Sequence, residues 1–163
     1  MKSWSERPEE VANLLNPAFC GEIIRRCIRK YYENTEVPFQ YSLIFLILPI
    51  VLHRGTREKI QSSTRKQMHV WIQENQKVRI GFAARAKNLV PVTKETLAFL
   101  MQLKAIHINK DGSIKITKYK KTNLASHNDG EIADILKKAE TIGKWFANAG
   151  TTSTIYTMWG VKP

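Results

Sequence analysis

Apolar residues recur at three- and four-residue spacing from Phe19 through Ile23, Ile24, Cys27, Ile28 and Tyr31, with Arg25, Arg26, Arg29 and Lys30 on the other face. That pattern predicts an amphipathic helix of about 17 residues. Asn16 followed by Pro17 supplies an N-cap side chain and a proline at the first helical position. "TEVP" (35–38) ends the helix. The next run, "YSLIFLILPIVL" (41–52), is apolar all round and predicts a helix, or a helix pair, covered on every side. Ser62, Ser63 or Thr64 is suited to cap a helix over 65–75, with Met68, Trp71 and Ile72 inward. A further helix is expected over about 79–89, with Phe82, Ala86 and Leu89 inward. Pro91 then predicts a break, and Thr93 a new cap for a helix running to about Lys104.

The period changes after that helix. Ile106, Ile108, Ile114 and Ile116 alternate on two arms around "NKDGS", with Gly112 free to take the left-handed turn position, so a hairpin is predicted. "KTNLASHNDG" (121–130) reads as a loop. Ile132, Ile135, Leu136, Ala139, Ile142, Gly143 and Phe146 then form one helical stripe that predicts a buried face. Gly150 is the expected left-handed cap, and Thr151 or Ser153 starts a last short helix bearing Ile155, Met158 and Trp159. The fold class expected is mainly α with a small β-hairpin (α+β). Short helices followed by a hairpin are the order of a winged helix, which places a winged-helix-like unit at 62–121 within one compact domain spanning 1–163.

Composition narrows the function. A chain of 163 residues, 43% apolar, can bury roughly 68–70% of its unfolded surface without staples. The net charge of +12 suits a polyanion, an acidic protein or an anionic membrane surface. Cys20 and Cys27 lie about 10.5 Å apart along a helix axis, too far to bridge. They read as small core residues of a reducing, cytoplasmic compartment. "MKSWSERPEE" has no apolar core of a secretory signal, and the 41–52 run falls short of the roughly 20 residues a membrane span requires.

Catalytic chemistry finds little support. His53, His69, His107 and His127 stand apart, with no cysteine at ligand spacing, and read as surface or capping residues. No phosphate-binding glycine loop occurs, and Asp111 is the hairpin's only acid, so neither metal nor cofactor is expected and the chain reads as a non-enzyme. Basic residues carry more. Lys104, Lys110, Lys115, Lys118, Lys120 and Lys121, joined by Arg65 and Lys66, are candidates for contact with DNA backbone, because lysine neutralises phosphate without reading sequence. A solvated edge on an exposed hairpin is the plainer account of the same lysines. The helix before the hairpin leaves Lys94, Glu95, Ala98 and Gln102 as its expected exposed set, with no arginine to address bases.

"NPAF" (16–19), "LPIVLHRGTRE" (48–58), "STRKQMHVWIQEN" (63–75), "RIGFAARAKNLVPVTKETLAFLM" (79–101) and "KKAETIGKWFANAGTTSTIYTMWGVKP" (137–163) resemble the middle component of bacterial three-component ABC-ATPase conflict systems. The Lamassu-type antiphage systems belong to this group. The resemblance implies a subunit that docks on an SMC-like ABC ATPase and keeps an effector, often a nuclease, associated and restrained. Contact with double-stranded DNA would come through the complex, and no membrane is involved. No catalytic residues transfer, and the lysine hairpin is read from the residues alone. The alternative is a stand-alone winged-helix transcriptional regulator, which would be expected to dimerise on two half-sites.

Overall fold

The computed structural model describes residues 15–61, 65–117 and 130–162. Helix α1 runs over Pro17–Thr35, and its N-terminus is closed as the sequence predicts: Asn16 Oδ1 accepts from the Ala18 N–H at 2.8 Å. It ends where Glu36 adopts a left-handed conformation (φ 56°) and its N–H reaches the Tyr32 carbonyl. Cys20, Ile23, Ile24, Cys27 and Ile28 form its buried face. Neither cysteine is in a disulfide. Burial pushes the Cys20 thiol up to about 12 and Cys27 in the same direction, so both are inert core groups at neutral pH.

A two-residue strand, β1 (Phe39–Gln40), leads through a 3-10 turn (Tyr41–Leu43) into α2, Ile44–Val51. Every residue of α2 except Phe45 is buried, because α1 and the helices over Phe82–Gln102 and Glu131–Asn148 surround it. The single turn α3 (Arg54–Arg57) follows, with His53 as its cap. Arg57 is buried and turns back to donate to the Val51 and Leu52 carbonyls at 3.2 and 3.3 Å, while pairing with Glu131. Two of the carbonyls at the end of α2 are thereby satisfied from one side chain.

Helix α4 spans Met68–Glu74, so Arg65–Gln67 precede it in non-helical backbone, and a 3-10 turn (Gln76–Arg79) follows. Met68, Trp71 and Ile72 point inward as expected. The predicted caps Ser62, Ser63 and Thr64 lie outside the described residues.

The two helices expected on either side of Pro91 are one. Helix α5 runs over Phe82–Gln102 with Pro91 inside it. Proline removes the bond to the carbonyl four residues earlier, that of Lys87; both positions are exposed, so water can serve that carbonyl. Burial of Phe82 and Ala86 before the proline, and of Val92, Thr96, Leu97 and Leu100 after it, holds the helix together. Thr93 is therefore no cap. It is fully buried, and its hydroxyl donates back to the Leu89 carbonyl at 2.9 Å.

Strands β2 (Ile106–Ile108) and β3 (Ser113–Ile116) form the predicted hairpin, with Gly112 at φ 76°. The sheet is antiparallel in the order β1-β3-β2, with Phe39 opposite Ile114 and Ile106 opposite Ile116. It thus takes a strand from outside 62–121.

Helix α6 (Glu131–Asn148) lies along α1, and α7 (Thr152–Met158) follows Gly150, whose φ is 89°. Thr151 caps α7 by accepting from the Thr154 N–H at 3.2 Å. The predicted stripe on α6 is buried from Ile135 to Phe146, but Ile132, the second residue of the helix, is 41% exposed. Trp159 packs on Phe82 (ring centroids 4.6 Å apart) and Trp71 (6.3 Å), and Trp71 meets Trp145 of α6 at 4.9 Å. Trp159, which closes the last helix, therefore reaches α6 through Trp71, at Trp145 beside the predicted stripe.

Candidate functional site

The C-terminal end of α5 and the hairpin form one built surface. Leu103 closes α5, and Lys104 follows in a left-handed conformation (φ 52°). This lysine is held in place from both sides. Its N–H reaches the Met101 carbonyl at 2.9 Å, and its own carbonyl accepts from the Thr117 hydroxyl at the end of β3. The Thr117 N–H closes the same ring on Ala105 O at 3.1 Å. At the tip, Asp111 accepts from the Ser113 N–H at 2.9 Å and the Ser113 hydroxyl at 2.6 Å, which holds its carboxyl below the usual carboxylate range. The hairpin's one acid is committed to its own turn.

Lys110 is exposed at that tip, and Lys115 is exposed on β3 opposite His107, while Ile114 and Ile116 face inward. The structure thus brings Lys104, Lys110 and Lys115 onto one short unit. Lys118, Lys120 and Lys121, with Tyr119, lie outside the described residues. Arg65 and Lys66 belong elsewhere: Lys66 pairs with Glu74 at 2.6 Å, and its carbonyl accepts from Trp145 Nε1 at 2.8 Å, which anchors it to α4 and α6.

Met101 and Leu103, which fall outside the exposed set expected for this helix, are nonetheless 49% and 47% exposed beside Lys104. Along the second half of α5, Lys94, Ala98 and Gln102 are exposed as expected, whereas Glu95 is half-buried. Arg85, in the first half, is occupied in donating to the Val78 and Ile80 carbonyls at 2.9 and 2.8 Å.

A second feature had no sequence signal. An open groove of about 520 Å³ runs between the C-terminal end of α1 and β3, with Ile28, Tyr32, Pro38 and Ile116 on its walls. Tyr32 is 52% exposed and Val37, beside it, 51%. The sheet partner that would have revealed this groove, β1, is two residues long and falls below any periodicity signal.

His53 caps α3, while His69 and His107 are exposed and His127 lies outside the described residues. Among the described residues no group of three or more His, Cys, Asp or Glu side chains could hold a metal ion, and no helix is long and apolar enough to cross a membrane.

The sequence model of the family described as "ABC-three component (ABC-3C) system Middle Component 3" matches residues 4–163. Comparison with curated proteins and comparison with solved structures each return no match.

Proposed function

Because the chain belongs to the ABC-three component (ABC-3C) system Middle Component 3 family, we propose that it is a non-catalytic adaptor, in a system of the Lamassu type, that docks on an SMC-like ABC ATPase and holds an effector nuclease in check. The observation that carries this reading is the family match over almost the whole chain. The surface at the end of α5 supports it, because exposed Met101 and Leu103 beside Lys104, on the unit that also carries Lys110 and Lys115, suit a protein partner or a polyanion better than they suit bulk water. The adaptor contacts DNA through the hairpin lysines, on phosphate and not on bases.

Helix α1, strand β1, helix α2, the short α3 and α4, helix α5 and then the hairpin follow in order, with β1 joined to β3. We read this as winged-helix wiring over 17–117, wider than the 62–121 unit the sequence suggested. A regulator that reads sequence would present arginine, asparagine or glutamine from the helix before the hairpin. The exposed set in its second half offers Gln102 alone.

The test is charge reversal in the assembled complex. Replacing Lys115, Lys118, Lys120 and Lys121 by Glu should weaken DNA binding and flatten its salt dependence in proportion to the phosphates lost. DNA binding left intact while the ATPase or effector dissociates would make the hairpin a protein-docking surface instead. A preference of about a thousandfold or more for one short sequence would favour the regulator.

A further inference from the structure

The bond pattern of the hairpin shows which way each residue of β3 points. Asn109 N–H bonds Ser113 O at 2.8 Å, and Thr117 N–H bonds Ala105 O at 3.1 Å. Residues 113 and 115 and the Thr117 N–H therefore direct themselves at β2, while the Thr117 carbonyl accepts from the Arg25 guanidinium of α1 at 3.4 Å; 114 and 116 direct their backbone groups at the other side. On that other side Phe39 of β1 meets Ile114, and the same register would bring Val37 opposite Ile116. Val37 does not serve. Its N–H bonds Thr35 Oγ1 at 3.1 Å, in the turn that ends α1, and the strand begins only at Phe39. The β1 ladder stops one pair short, and the edge it leaves at Ile116 opens into the 520 Å³ groove.

We propose that this edge takes an extended segment of a protein partner, added antiparallel to β3 as a further stretch of the β1 ladder. Main-chain bonds to Ile116 would supply affinity, and alternate side chains specificity. The register defines the segment's chemistry. The residue opposite Ile116 shares its inward face and meets Ile28, Ile114 and Tyr32, so it is apolar and β-branched. Its neighbours share the outward face of Lys115, which is exposed, and pass the Arg29 guanidinium on the groove wall, which also pairs with Glu140 at 3.3 Å and Glu33 at 3.8 Å. They are acidic, although Glu36 on the same wall disfavours a third carboxylate near the α1 end. The occupant is thus an acid–apolar–acid strand. Double-stranded DNA, by contrast, offers neither backbone donors nor an apolar side chain to this edge. The inference deepens the docking reading and rests on it for the source of the segment. Its test needs no partner, so failure of one is distinguishable from failure of the other.

The probe is the capped pentapeptide acetyl-Thr-Asp-Val-Asp-Thr-amide, titrated into the full chain with the backbone amides followed by NMR. Exchange of the Ile116 amide should be fast in the free protein and slowed by the peptide, with the largest shifts at Lys115 and Ile116. N-methylating the valine removes one main-chain donor and should weaken binding about tenfold or more. Lys115→Glu should weaken the acidic peptide and strengthen one carrying lysine in place of both aspartates; Lys115 faces water, so the fold survives. Several outcomes would overturn the proposal: an Ile116 amide already protected in the free chain, equal binding of the N-methylated peptide, or no shift at Ile116 at the peptide's solubility limit. Ile116 shifts that grow with protein concentration alone would assign the edge to a second copy of this chain and overturn it as well.

Discussion

His53 caps α3 with a ring nitrogen where a hydroxyl or carboxylate is usual. Its Nδ1 accepts from the Thr56 N–H at 3.2 Å and lies 2.8 Å from the Thr56 hydroxyl. Only the neutral ring has the lone pair this requires. Burial, then the charges of Arg85 and Arg57, push its pKa below the ordinary histidine value. The unfolded chain therefore takes up the proton first as pH falls, so stability declines below about pH 6.5. We expect the urea midpoint to drop between about pH 7.5 and about pH 5.5, and His53→Asn, which keeps a cap without a titrating group, to flatten that slope. A slope unchanged in the variant would show that the ring contributes nothing to acid sensitivity. The sequence marked this histidine as a surface or capping residue, and the cap is what the structure adds.

At the scale of elements, what was legible depended on period and length. Helices α1 and α6 announced their buried faces through sustained 3.6-residue spacing, and the alternating isoleucines announced the hairpin. Pro91 misled because a local breaker competes with burial on both sides of it, and burial won by leaving the proline and Lys87 at the surface. Met101 and Leu103 misled because apolar character does not say whether an element continues far enough to cover them. Gly143 marks the close crossing of α1 and α6: a Cβ there would lie 2.3 Å from the Cys27 carbonyl oxygen. Backbone cannot yield as a side chain can. Gly143→Ala should therefore cost about 1–3 kcal/mol or more. Gly21→Ala, which meets the movable end of Leu100 at 2.9 Å, should cost less. Equal melting temperatures for the two variants would contradict this crossing.

At the scale of the whole molecule, Phe146 ties α6 to the sheet, stacking on Phe39 of β1 with centroids 6.4 Å apart while only 1% exposed. Phe146→Ala should cost about 3–5 kcal/mol and loosen the sheet whose edge and lysines form the candidate surfaces. Of those surfaces, the hairpin lysines could be read directly, because charge is written in the sequence. The open edge of β3 could not be read, because it depends on how far β1 extends and on the bond Val37 makes elsewhere. Whether this chain holds the proposed ATPase and effector together is measured by native mass spectrometry of the two, co-expressed with and without it. We expect a complex containing all three, and loss of effector from the ATPase when this chain is omitted. An ATPase–effector complex that forms equally well in its absence would contradict the adaptor reading.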